Sequence, residues 1–160
     1  MCHLGKEVDA SHRLLQEATQ SNPNDAMAWL YNSVWSQMWG TNQDSVSEAE
    51  QALHLSPLDP QKYYFEMMLA ASHAAMCHWE ESVRFCRASL RKNRYHLPTI
   101  RCLLVAQYEL GAIDDAKETL NLLLNLQPNL TLSHYLSAGS QSPLRQRVAN
   151  ALSNLGLPSN

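Results

Sequence analysis

Four cysteines, seven histidines and two carboxylate pairs are the side chains of this 160-residue sequence with the most chemistry to offer. His73, Cys77 and His78 stand close together. His73 and Cys77, four residues apart, would share one face of a helix, where two side chains can reach one metal ion. Three ligands crowded at one helix end, with no distant fourth, make a poor zinc site, so no bound metal is expected. Cys2, Cys77, Cys86 and Cys102 show no C-x-x-C spacing and, in a reducing compartment, read as small apolar packing groups. Glu80-Glu81 and Asp114-Asp115 have the composition of acid/base pairs. They fall where helices begin, and carboxylates there favour the helix dipole without any catalytic cause. Neither a G-x-S-x-G elbow, nor a G-x-x-x-x-G-K-S/T loop, nor H-E-x-x-H occurs. The sequence therefore predicts a protein that is not an enzyme and needs no cofactor.

The elements that carry these residues come next. An apolar fraction of 45% suits a chain with a real core. The formal net charge is −3, with Lys and Arg scattered, so no basic stripe argues for nucleic acid. The densest basic stretch, RASLRKNRYH (87–96), reads as a helix C-terminus, where cations suit the dipole. MMLAA (67–71) and CLLVA (102–106) fall far below the roughly 18 residues that span a bilayer. MCHLGKEV lacks the features of a signal peptide, and a cytoplasmic location is expected.

Periodicity is helical nearly everywhere. Leu110, Ile113, Ala116, Leu120, Leu123 and Leu124 recur at three and four residues, with Asp114, Asp115, Lys117 and Glu118 off that stripe. Asp59-Pro60 and Ser142-Pro143 each place a capping residue before a proline at the first helical position. Asn24 or Asp25 can cap the helix after Pro23, and Gly40 and Gly111 end helices as residues that tolerate positive φ. The punctuation is periodic. Gly40 to Pro57 and Gly111 to Pro128 are both seventeen residues, and Pro23 to Pro57 is 34. Pro57 to Pro128 is 71, which is twice 34 plus three. A fixed period of 34 marks paired-helix repeats.

On these residues the chain resembles the tetratricopeptide repeat (TPR) family. Trp29 matches the aromatic of a first helix, Gly40 the turn, Ala52 the small site of the second helix and Pro57 the exit. Gly111, Ala116 and Pro128 take the same places in 97–130. In CHWEESVRFCRASL (77–90), Cys77 takes the glycine place, Ser82 and Ser89 the alanine places, and Arg94 the proline place. The resemblance implies one all-α domain over 1–160, a right-handed α-α superhelix of about three TPR-like hairpins with a C-terminal capping helix. Its parts would be a single-helix partial repeat (6–22), a repeat at 26–59, a divergent repeat at 60–94 with a first helix nearly one turn longer, a repeat at 97–130, and a loop with the capping helix at 131–160. Leu144, Val148, Leu152 and Leu155 form the apolar face of that last helix. Residues 55–158 also look like the C-terminal repeat regions of bacterial class III adenylate cyclases and OmpR-type winged-helix activators. That likeness suggests, as an alternative, a fragment of a bacterial signalling regulator whose output domain is missing.

In TPR arrays the first helices line the concave face. The resemblance therefore implies a largely apolar groove formed by Met27, Leu30, Val34, Gln37 and Met38, then Tyr64, Met67, Met68 and Ala71, then Arg101, Val105, Tyr108 and Glu109. Such a groove suits a peptide, an amphipathic helix or a second protomer. The family's carboxylate clamp is not matched, because Leu30 and Val34 occupy two of its places. The lone helix before Pro23 leaves an apolar flank near Trp35, Met38 and Trp39, and a homodimer through that flank would cover it.

Overall fold

The structure, a computed structural model, describes residues 2–39, 42–137 and 142–160, and no described residue lies in a strand. The helices are α1 (Cys2–Ser21), α2 (Ala26–Trp39), α3 (Asn42–Leu55), α4 (Lys62–Ala75), α5 (Trp79–Lys92), α6 (Leu97–Glu109), α7 (Ile113–Leu126), α8 (Leu132–Ser137) and α9 (Pro143–Asn154). α2 packs on α3, α4 on α5 and α6 on α7. Each pair leans on the next through α3–α4 and α5–α6, and neighbouring first helices also touch, α2 with α4 and α4 with α6. The result is a right-handed helical-repeat superhelix.

Four tight turns set the repeat. The amide of Asp25 donates to Asn22 O, Asp59 to Ser56 O, His96 to Asn93 O and Leu130 to Gln127 O. The second residue of each turn is Pro23, Pro57, Arg94 or Pro128. Proline presets φ for that place and needs no donor there, and arginine can also adopt the conformation. Trp29 fixes the first of these turns by donating its Nε1–H to the Pro23 carbonyl at 2.8 Å.

The extra-long first helix expected within 60–76 is not found. α4 has 14 residues, as α2 does. Most of the surplus goes into the entry turn, where Pro60 and Gln61 precede the helix and Asp59 Oδ1 accepts from the Gln61 amide at 2.6 Å. A carboxylate that holds an amide two residues on stabilises a turn in competition with helix. Between first and second helices, Gly111 (φ 76) takes a left-handed conformation, and Cys77 takes the same one at φ 60. The helix end expected at Gly40 lies outside the described residues.

Close approach of the helices demands small or well-shaped side chains. Ser45, Ala49 and Ala52 on α3, Ser82, Cys86 and Ser89 on α5, and Ala116 and Leu123 on α7 are all fully buried. The buried hydroxyls find partners across helix interfaces. Ser45 Oγ sits 2.6 Å from Ser72 Oγ and donates to Ser33 O. Ser89 Oγ donates to Tyr63 O at 2.7 Å and lies 3.0 Å from Thr99 Oγ1. Pairing removes the penalty of burying these groups. Phe65, Leu30, Leu69, Ile100, Leu104 and Leu152 are the largest fully buried apolar side chains besides Leu123, and each contributes about 1.5–3 kcal/mol by leaving water.

The C-terminal helix has an unexpected place. Ser142 caps α9 by accepting from the Arg145 amide at 3.2 Å, with Pro143 in the first turn. α9 then lies against α6, α4 and α8, so it covers the face made by first helices. Beyond it, Leu157 is buried, and the carbonyls of Pro158 and Ser159 accept from the amides of Leu132 and Ser133 at 2.8 and 3.1 Å. The tail is thereby tied to the start of α8.

Candidate functional site

The face of the first helices divides in two. Toward α6 it is occupied by α9. Leu144 packs into the cores around both α4 and α6, and Val148 and Leu152 are buried in the same cluster as Val105. Polar bonds frame this apolar seat. Arg147 Nη1 donates to Glu109 Oε1 at 3.4 Å, and Asn154 Nδ2 donates to the Tyr108 hydroxyl at 2.8 Å. The Arg147 guanidinium also lies 5.6 Å from the Trp79 ring centre. An amphipathic helix with apolar residues at every fourth position thus sits across two first helices, as a helix does in a hydrophobic groove.

The residues expected to line an open groove fall into three groups. Leu30, Met67, Met68, Ala71 and Val105 are buried in the core. Met67, Met68 and Ala71 are enclosed because α4 is apolar on nearly every side, with each residue from Phe65 to Ala74 buried, while Leu30 on α2 and Val105 on α6 belong to the cores on either side of it. Arg101, Tyr108 and Glu109 serve α8, α9 and the turn before α8 as partners. Only Met27 remains exposed among the apolar candidates, with Val34, Gln37, Met38 and Tyr64 partly covered. Tyr31, one helical turn beyond Met27, is half exposed and was not among the candidates, although the four-residue spacing places it on the same stripe. Burial pushes the Tyr64 hydroxyl above its ordinary pKa, and neighbouring Tyr31 adds to the shift. Trp39 is exposed at the other end of α2, 6.4 Å from the Trp35 ring, which in turn stacks on His12 at 3.5 Å.

A second constellation was not foreseen. Arg101 from α6 and Arg145 from α9 both lie over the Tyr135 ring of α8, 5.5 and 4.4 Å from its centre. Two clefts of about 230 and 170 Å³ open beside them. Tyr135 and Arg145 give no signal in the sequence, where 131–160 shows only a loop and a capping helix.

The histidine–cysteine group offers no coordination. His73 is buried and stacked flat on Phe85 at 5.5 Å, and its ring lies 5.9 Å from that of His78. Cys77 is exposed, and among the described residues no three His, Cys, Asp or Glu side chains gather as metal ligands.

These elements define a helical-repeat fold: paired helices, turns at Pro23, Pro57, Arg94 and Pro128 spaced 34, 37 and 34 residues apart, and small buried sites where helices cross. Among solved structures, the chain is similar to the crystal structure of MamA, with a TM-score of 0.70 and 13% identity over 95% of this chain and 88% of that one. It is equally similar to TTC0263, a thermophilic TPR protein of Thermus thermophilus, with a TM-score of 0.69 and 19% identity over 96% and 76%. Likeness at such identities concerns the fold alone. The sequence matches no family model and no curated protein, so the resemblance to cyclase and winged-helix regulators gains no support.

Proposed function

We propose that this protein is a non-catalytic scaffold that binds another protein through the face of its first helices. The docking surface is the end left bare by α9, formed by Met27 and Tyr31, with Val34, Met38 and Tyr64 beside them. The observation that carries this reading is α9 itself. The same face accepts an amphipathic helix at its α4–α6 end, with its apolar stripe inward and its basic residues on the rim. The bare end offers aromatic and methionine side chains, which suit a helix or peptide of similar pattern. A second protomer fits the same chemistry, because Leu14 of α1 is 66% exposed next to α2.

The test is site-specific photocrosslinking in the source cell, with a benzophenone amino acid replacing Tyr31. The control position is Leu58, which is 94% exposed and far along the chain in a turn. Discrete adducts from position 31 and none from position 58 are the expected result. Equal labelling from both positions, or none from either, would remove this face as the binding site.

A further inference from the structure

Two cysteines that play no part in the docking surface meet where the second hairpin packs on the third. Cys86 on α5 is fully buried, and Cys102 on α6 is 5% exposed within the same apolar cluster. Ser82 Oγ lies 3.5 Å from Cys102 Sγ, and Ser82 stands one helical turn before Cys86 on the same face of α5. Cys86 and Cys102 therefore face each other across the packed α5–α6 contact. The small side chains of Ser82 and Cys86, both fully buried, let the two helices come close, as a disulfide between helices requires.

Access to the two thiols differs. Cys102 lines the cleft of about 230 Å³ together with Met67, Ala71 and Arg101, whereas Cys86 is not among the walls of that cleft. Their ionisation differs in the same sense. Burial pushes the Cys86 thiol well above its ordinary value, and Cys102 beside it adds to the rise. The hydrogen bond from Cys86 lowers the Cys102 thiol against the effect of burial, and the Ser82 hydroxyl adds to the lowering. The pair thus gives up its first proton at Cys102, while Cys86 keeps its own. A thiolate is the reactive form of cysteine, so the nucleophile of the pair is the member that the cleft reaches.

We infer that Cys86 and Cys102 form a dithiol that a small hydroperoxide oxidises through the cleft, with Cys102 as the attacking sulfur and Cys86 as the resolving one. With hydrogen peroxide, the Cys102 thiolate attacks one oxygen, the O–O bond breaks and Cys102 becomes a sulfenic acid. The departing hydroxide takes up the proton that Cys102 had released and becomes water. The Cys86 sulfur then attacks the Cys102 sulfur, the S–O bond breaks, and the hydroxyl leaves with the Cys86 proton as a second water. The two thiols lose two electrons in all, and these reduce one peroxide. The disulfide so formed ties α5 to α6 and holds the second hairpin against the third until a thiol reductant reopens it.

Treatment of the full chain with hydrogen peroxide, followed by tryptic digestion without reduction and mass spectrometry, tests this. The expected product joins residues 85–87 to residues 102–117, the tryptic peptides that carry the two cysteines, and dithiothreitol separates them. Dimedone, which traps sulfenic acids, should label Cys102 in Cys86→Ser and leave Cys86 unlabelled in Cys102→Ser. The melting temperature of the wild type should rise on oxidation and return on reduction, and an unchanged value would refute the tie between hairpins. Cys102 that remains a thiol after the exposed Cys77 is fully oxidised overturns the proposal. A bridge that forms only at urea concentrations that unfold the chain overturns it too, because the thiols would then meet outside the native fold. Equal dimedone labelling of the two cysteines in the two variants would refute the assignment of attacking and resolving sulfur.

Discussion

One face, built from the same kind of helix, ends in two different ways. At α2, Met27, Tyr31 and Trp39 are 36%, 50% and 54% exposed. At α4 and α6, Met67, Met68, Ala71 and Val105 lie buried, and α9 packs against both helices. The side-chain types at the two ends are alike, methionine and other apolar residues at helical spacing. What separates them is a helix that comes much later in the chain. Apolar lining in a repeat protein therefore marks a surface that something must cover. Whether the cover comes from the chain or from a partner is decided elsewhere in the sequence.

The largest effect that can break this comparison comes from truncating one residue at each end. Leu152 is fully buried, so Leu152→Ala should cost about 2–5 kcal/mol, the removed transfer energy plus the cavity left behind. Tyr31→Ala should change stability by no more than about 0.5 kcal/mol, because the side chain is half exposed and makes no structural hydrogen bond among those found. Urea denaturation of both variants provides the measurement. Equal costs would mean that the bare end is also structural. A loss of crosslinking partner with unchanged stability in Tyr31→Ala would sharpen the distinction.

A smaller effect concerns how α9 is launched onto its seat. Ser142→Ala removes the hydroxyl that accepts from the Arg145 amide and should cost about 1 kcal/mol. The loss should appear as faster amide hydrogen exchange in α9 than in α2, because only the covered end depends on that cap. Acceleration spread evenly over both helices would contradict the view that α9 is a separately seated element.

Much of this architecture could be read from punctuation. Pro23, Pro57 and Pro128 fixed the repeat, and Arg94 fell in the fourth turn because the same turn geometry tolerates it. Ser142-Pro143 marked the start of α9, and Leu144, Val148 and Leu152 marked its inner face. The stripe stated that α9 must bury one side without stating against which neighbour. The answer lay in α4. FEMMLAASHA (65–74) is apolar or small nearly all round, and such a helix must be covered on every side. The arginine cluster was illegible for another reason: Arg101, Tyr135 and Arg145 meet only after α8 and α9 fold back. Local backbone was more readable. Cys77 stands where Gly111 stands in the next hairpin, and it is strained by a positive φ that glycine adopts freely. Cys77→Gly should therefore stabilise the fold by about 1 kcal/mol, a gain visible as a higher urea midpoint. A drop in the midpoint would show that the Cys77 side chain contributes more than its backbone strain costs.

The smallest effect, and the one that tests where the two ends join, is acid sensitivity at His73. This residue lies on α4 beside Ser72, which contacts α3 through Ser45. Burial lowers its pKa from 6.5, against the pull of Glu81 and Glu50, while His78 and Arg84 reinforce the lowering. Both ring nitrogens are buried without a partner, so the folded state holds the neutral imidazole. The unfolded chain takes up the proton at higher pH than the folded one does. Stability is then full above 6.5 and declines as pH falls below that value toward the folded pKa. His73→Phe keeps a flat ring against Phe85 and removes the proton site, so it should flatten the pH dependence of the urea midpoint in that window. His96, whose pKa is also lowered by burial, leaves a residual slope in the variant. If the variant kept the full wild-type slope, His96 alone would account for the acid response, and the α4 joint would be indifferent to protonation.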